Sequence, residues 1–209
     1  MKLSKNLWGQ LLFVEVFLFV FVLGFLPYSL QSYSYSILYT ILFFTSAFNL
    51  DKHRKTMLWV AGSAIVLEWL SKAFDLVYIR AASNIFNGIF FTIIVGLFIA
   101  QVANAKEVKK RVIFEAINGY LLLGIVFSIS IALMLDSVPD AYNFSNTEFL
   151  QHSDIVYFGF VTLSTLGYGD LLPVHQASKS LALLTTLGGQ LYLAVIIALL
   201  VGKFSSQRE

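Results

Sequence analysis

Residues 162–173 read TLSTLGYGDLLP. Two glycines bracket a tyrosine, and an aspartate follows, inside a chain that is otherwise strongly apolar. Of its 209 residues 58% are hydrophobic and only 12% charged, against about 25% charged in a typical soluble domain. The composition is that of a membrane protein. Irregular backbone survives at membrane depth only where it is buried in protein or lines a cavity. The stretch therefore has to face something other than lipid, and the rest of the sequence is read outward from it.

A membrane-spanning helix needs about 20 mostly apolar residues. Six stretches qualify as candidates: about 7–27, 33–50, 56–72, 82–104, 116–135 and 178–203. A shorter apolar piece, about 153–164, directly precedes the glycine-tyrosine-glycine sequence and is too short to cross. The expected fold class is an all-α membrane protein: six transmembrane helices, with a short re-entrant helix between the fifth and sixth. The first apolar run is too long for a signal peptide and lacks a small-residue cleavage site, so it reads as a retained helix. The prolines, Pro27, Pro139 and Pro173, fall at expected ends or loops, where a missing N–H costs least.

The basic residues orient these spans. With the N-terminus in the cytoplasm, 11 Lys and Arg residues lie on the cytoplasmic side and three, Lys72, Arg80 and Lys179, on the other. Both termini are then cytoplasmic, and the chain is expected in the cell membrane as a multi-pass protein. Residues 136–177 face out. No Lys or Arg occurs between Arg111 and Lys179, while Asp136, Asp140, Glu148, Asp154 and Asp170 lie on the outer portion. A mouth of one sign beside low-dielectric walls concentrates cations, although an ordinary polar loop has the same composition. With a net charge of +2 and no basic run interleaved with aromatics, no nucleic-acid partner is expected. The absence of cysteine removes disulfide, thiolate and cysteine-zinc chemistry.

The chemistry of 165–169 follows from its residue types. A permeating cation must exchange its water shell for other oxygens, and backbone carbonyls supply them without a fixed charge that would trap the ion. A strand whose carbonyls all turn one way needs unusual φ/ψ values, which Gly167 and Gly169 adopt readily. Thr165 adds a hydroxyl at one end, while Leu166 and Tyr168 pack behind the strand. The short helix in front points its partially negative C-terminal end toward the same place.

Thr165-Leu166-Gly167-Tyr168-Gly169 resembles the potassium-channel signature, with Leu166 where valine is commonest. The likeness extends over VYFGFVTLSTLGYGDLLP, which resembles the family's pore helix, filter and outer mouth as one block. Asp170 matches the family's aspartate, and Gly189, 22 residues after Gly167, matches its hinge glycine. The resemblance implies that Thr165, Leu166, Gly167 and Tyr168 coordinate K⁺ as the permeant ion, with no cofactor. It also implies that Gly169 completes the filter, that Asp170 and Tyr157 support it, and that Gly189 is a gating hinge. One chain supplies one pore loop, so a closed ring implies a homotetramer with four-fold symmetry. Some members pair the aspartate with a pore-helix glutamate. Val161 stands at that position, so Asp170 must find another partner, with Tyr157 or a neighbouring pore helix as candidates.

The layout resembles the six-helix, voltage-gated type: residues 1–105 as a four-helix domain, 106–117 as an amphipathic linker helix and 118–209 as the pore domain. Voltage sensors of that family need about three to four charges per subunit in the fourth helix. Residues 81–105, AASNIFNGIFFTIIVGLFIAQVANA, contain none, and Arg80 at the edge is read as snorkelling. Little or no intrinsic voltage gating is expected. The linker, NAKEVKKRVIFEAI, sets Val108, Val112, Ile113, Ala116 and Ile117 at helical spacing. It reads as a cuff on the inner gate or a basic helix lying on anionic lipid.

Three residues are candidates for sensing. Glu15 lies inside the first span among Leu11, Leu12, Leu18 and Phe19, where it must pair with another helix, be protonated or take a sensing role. Glu68 precedes Lys72 by one turn, an arrangement that favours a structural pair. His175, like His152, flanks the outer mouth, where a histidine confers pH dependence or has no role. Seven residues follow Gly202, so control is expected in the filter, the Gly189 hinge, the lipid or the front helices. The expected function is a potassium-selective channel. A weakly selective cation channel and a non-conducting regulatory or transport subunit are the alternatives. No zinc-protease, nucleophile-elbow or phosphate-loop motif points to an enzyme.

Overall fold

A computed structural model describes residues 5–74, 77–144 and 151–206. Glu148, one of the carboxylates assigned to the outer region, lies outside the described residues. Helix α1 (Lys5–Phe17) continues through a π turn (Leu18–Val22) and a 3-10 turn (Leu23–Phe25) and stops before Pro27. Pro27 caps α2 (Tyr28–Phe48) with an extended backbone, and its carbonyl accepts from Leu30 and Gln31 N–H. Then come α3 (Arg54–Phe74), α4 (Val77–Asn104) and α5 (Lys110–Ser137). A 3-10 turn at Pro139–Ala141 leads into strand β1 (Tyr142–Phe144), followed by α6 (His152–Leu163), β2 (Leu171–Pro173) and α7 (Gln176–Ser206). The two strands pair antiparallel, Tyr142 opposite Pro173 and Phe144 opposite Leu171.

Five stretches among the described residues are long and apolar enough to cross a membrane: Leu7–Phe25, Arg54–Phe74, Tyr78–Asn104, Lys110–Ser137 and Gln176–Ser205. Helix α2 has the length, 21 residues, but carries Gln31 and several serines and threonines along its course. Several of its polar side chains turn toward its neighbours. Thr45 Oγ1 donates to Glu15 Oε2 at 2.6 Å, and Lys72 Nζ donates to Ser36 Oγ at 2.8 Å.

The core of the front half is aromatic. Phe43 stacks on Phe91 at 4.9 Å, and Phe90 meets Phe43 edge-on at 4.8 Å. Phe19 packs edge-on against Tyr35 and Tyr39 at 5.0 and 4.8 Å. Such rings lock α1, α2 and α4 by shape, because apolar area alone gives helices little reason to associate in lipid.

Helix α5 is the central element. It packs along α1, α4, α6 and α7, and buries residues on several sides, including Glu115, Asn118, Leu122, Ile125 and Ile131. The front helices therefore rest on α5 of the same chain. The 106–117 segment differs from the expected separate linker helix. Residues 105–109 form a turn, Lys109 is extended, and residues 110–117 are the first turns of α5. The apolar spacing at Val112, Ile113, Ala116 and Ile117 belongs to this longer helix. A short connection makes α4 and α5 antiparallel neighbours. Arg111 fixes the corner by bonding Asp51 at 2.8 Å and Glu115 at 2.7 Å.

Close approach between α5 and α6 depends on Gly124, where an added Cβ would lie 2.3 Å from the Phe160 ring. Overpacking of this kind costs about 1–3 kcal/mol. Gly124→Ala is expected to lower the thermal unfolding midpoint of the purified protein in detergent. Phe160→Leu in the same chain should restore part of the loss, and the double-mutant cycle measures that coupling.

Candidate ion-conduction site

Helix α6 starts on a reciprocal cap. The Gln151 N–H donates to Asp154 Oδ2 at 2.9 Å, so a carboxylate sits in the first turn, where the helix dipole favours it. At the other end, the last carbonyls would lack partners if the chain simply turned away. The following segment supplies them. Ser164 N–H donates to Phe160 O, Thr165 N–H to Thr162 O, and both Leu166 and Gly167 N–H to Val161 O, at 2.9–3.3 Å. The N–H groups of 164–167 thus turn back onto the helix. Among the described residues, no backbone N–H donates to the carbonyls of Thr165 through Gly169.

The backbone of this segment alternates in hand. Thr165, Gly167 and Gly169 have φ of +62°, +55° and +79°, whereas Leu166 and Tyr168 are not in the positive region. In an ordinary strand successive carbonyls point to opposite sides. Inverting every second residue brings them toward the same side. Glycine accepts the inverted conformation without a Cβ penalty, and Thr165 adopts it at a cost. A row of uncommitted carbonyls is a polar surface that binds cations and has no proton to donate.

Behind this row, Tyr157 Oη donates to Asp170 Oδ2 at 2.6 Å, and Asp170 Oδ1 accepts the Leu171 N–H at 3.0 Å. The bond to Asp170 pushes the Tyr157 phenol up to about 12, so it remains a donor at neutral pH. Val161, which stands in place of the glutamate of some family members, is buried, and its carbonyl carries the segment's two bonds. Beyond Asp170 the chain enters β2, and the β1–β2 pairing ties the segment's exit to the end of α5.

Gly189 lies where α7 crosses the end of α6. A Cβ there would sit 2.3 Å from the Leu163 carbonyl oxygen and 2.8 Å from its side chain. The resemblance makes this glycine a hinge, and the packing supplies a second reason for glycine, which the sequence does not reveal. Thr186 Oγ1, one turn earlier, donates to Thr162 O at 3.3 Å. That residue adds to the seam and was not among those singled out from the sequence. A threonine one turn from the glycine was the available signal.

The sensing candidates lie apart from this segment. Glu15 accepts from Thr45 on α2. Glu68 reaches across to α4, where Oε2 accepts from Ser83 Oγ at 2.8 Å and Asn87 Nδ2 at 3.0 Å. His175 Nδ1 accepts the Ala177 N–H at 3.2 Å, which places the ring at the start of α7 as a helix cap. His152 stacks on Tyr35 of α2 at 5.5 Å.

Long apolar helices around a short one, with an irregular loop held at its end, define a mainly helical membrane protein. Residues 120–206 match the family model described as "Ion channel". A "Potassium channel K1" of Plasmodium berghei is 40% identical over 63 residues, which are 30% of this chain and 3% of that protein. A "Potassium voltage-gated channel protein Shal" of Drosophila melanogaster is 31% identical over 84 residues, 39% of this chain and 15% of that protein. The matched segment is thus similar to that of ion channels, and both relatives are named as potassium channels. The chain spans only a small part of the length of these relatives. No solved structure matches it.

Gly189→Ala is expected to lower the unfolding midpoint of the purified protein more than Gly188→Ala. The Leu163 carbonyl cannot move aside, whereas the group facing Gly188 is the tip of the Phe127 ring. If Gly189→Ala leaves the midpoint unchanged and alters only gating, the glycine is a hinge and not a packing requirement.

Proposed function

We propose that this protein is a potassium-selective channel that conducts passively through a ring of four copies of Thr165–Gly169. Its chain makes six spans with α6 re-entrant, lies in the cell membrane and keeps both termini in the cytoplasm. The observation that carries the reading is the alternation of φ over 165–169, together with N–H groups tied back to α6. This leaves a row of carbonyls as the only strong ligands the segment offers. The assignment of potassium draws on the relatives, both of which are named as potassium channels.

Assembly is supported by what one chain leaves uncovered. Leu166 and Tyr168 are 54% and 66% exposed, although apolar side chains behind a filter need packing to fix its diameter. Along α7, Leu183, Leu184, Leu187 and Leu191 are also exposed. Four copies around one axis cover the first set and close the ring of carbonyls.

Control by voltage is weak in this reading. Moving one charge through 100 mV is worth about 2.3 kcal/mol, and α4 offers no charged residue between Ala81 and Asn104.

Currents from the purified protein in planar bilayers test the proposal. In asymmetric potassium the reversal potential should follow the potassium gradient, and open probability should change little with voltage. A reversal potential indifferent to potassium would overturn the reading, and one that follows sodium equally would make it a weakly selective cation pore. Gly167→Ala and Gly169→Ala should abolish selective current, because a left-handed non-glycine residue costs about 1–2 kcal/mol.

A further inference from the structure

A cavity of about 280 Å³ lies between the front helices and the start of α6. Its walls are unlike the aromatic core around them. Asn87 and Glu68 line it, together with the rings of Phe19, Tyr35 and Tyr39. Asn87 is only 2% exposed. Its Nδ2 donates to Glu68 Oε2 at 3.0 Å, while its Oδ1 has no hydrogen-bond partner among the described residues. A buried acceptor without a donor is costly, and an occupant bearing N–H or O–H groups removes that cost. A carboxylate, an amide oxygen and the faces of aromatic rings together are the elements that receive an ammonium group.

The same cavity is lined by two cations, Lys72 and Arg80. Lys72 is engaged with Ser36 at 2.8 Å and lies over the Tyr33 ring at 4.5 Å. A simple cation would be repelled by these two residues, and a simple anion by Glu68. An occupant carrying both signs satisfies both sides. At about 30 Å³ per water-sized group the space holds roughly nine such groups, the size of a small amino acid with a few waters.

We propose that this cavity binds a small zwitterion. Its ammonium group lies against Glu68 and Asn87 Oδ1, and its anionic group faces Lys72 and Arg80. The source is either a soluble amino-acid-like solute or the headgroup of a lipid such as phosphatidylethanolamine. The site also touches the pore segment. His152, Ile155 and Val156 of α6 line the cavity, and His152 stacks on Tyr35. An occupant thereby contacts both the front helices and the helix that carries the filter.

Calorimetric titration of the full-length protein in phosphatidylglycerol nanodiscs tests this without relying on conduction. γ-Aminobutyrate is expected to bind saturably, and butylamine and butyrate at least tenfold more weakly. Glu68→Gln and Lys72→Gln should each weaken binding at least tenfold. If Glu68→Gln fails to fold, Lys72→Gln carries the comparison alone. A second arm starts from phosphatidylethanolamine nanodiscs, exchanges the lipid for phosphatidylglycerol and analyses what is retained by mass spectrometry. Retained phosphatidylethanolamine that is lost in Lys72→Gln identifies the headgroup as the source, and binding of γ-aminobutyrate alone identifies the soluble one. Butylamine binding as tightly as γ-aminobutyrate would overturn the proposal. So would the absence of both saturable binding and retained lipid.

Discussion

The last turn of α6 and the segment after it satisfy each other. A helix ending inside a membrane protein leaves carbonyls that water cannot reach. The N–H groups of Ser164 to Gly167 fill that need at Phe160, Val161 and Thr162. Committing those N–H groups in one direction fixes the peptide planes of the segment, and with them the direction of its carbonyls. The inverted residues at 165, 167 and 169 are the backbone consequence. Everything else around α6 keeps this turn in place. Gly124 and Gly189 admit α5 and α7 to close contact, the Thr186 hydroxyl adds to the Thr162 carbonyl, and Tyr157 holds Asp170 at the exit.

That dependence explains which parts of the molecule were legible in the sequence. The helices α1, α3, α4, α5 and α7 announce themselves as apolar runs of spanning length, and α6 as a run too short to span. The segment 162–173 was legible because glycine at alternate positions is a direct statement about φ. The boundary between α4 and α5 was not. Val112, Ile113, Ala116 and Ile117 have the spacing of an amphipathic helix whether that helix stands alone or begins a longer one. Of the deciding contacts, Arg111 with Asp51 joins residues 60 apart in sequence, and Arg111 with Glu115 is a one-turn pair within α5.

Polar partners were the least legible feature. Glu68 and Lys72 have ideal spacing for a one-turn pair, yet Glu68 takes donors from Ser83 and Asn87, and Lys72 reaches Ser36. Helical spacing describes one helix, whereas a bundle offers each side chain several others. Glu15 shows the same limit. Burial inside the first span required a partner, and only the bundle identifies it as Thr45, whose hydroxyl also lies within reach of Ile41 O on its own helix. His175 was read by its nearness to the mouth and serves as the cap of α7.

These polar contacts bear on how the front half relates to the pore. A charged fourth helix would have to slide through its neighbours to sense voltage, and the contacts between helices would have to be exchangeable. Here α4 is held by interdigitated Phe90 and Phe91, by Asn87 and Ser83 on Glu68, and at its C-terminal end by Lys203 of α7, which donates to Ala103 O at 2.9 Å. A cation on the C-terminal carbonyls of a helix is favoured by the dipole, and this one belongs to α7, which follows the 165–169 segment. The front half is thereby joined to α6 and α7, through Tyr35 and His152 beside the start of α6 and through Lys203 at the end of α7. A domain held in this way meets α6 and α7 through fixed contacts of its own side chains and backbone. The cavity that Glu68 and Asn87 line is lined also by His152, Ile155 and Val156, so the front helices meet α6 with no other helix between them.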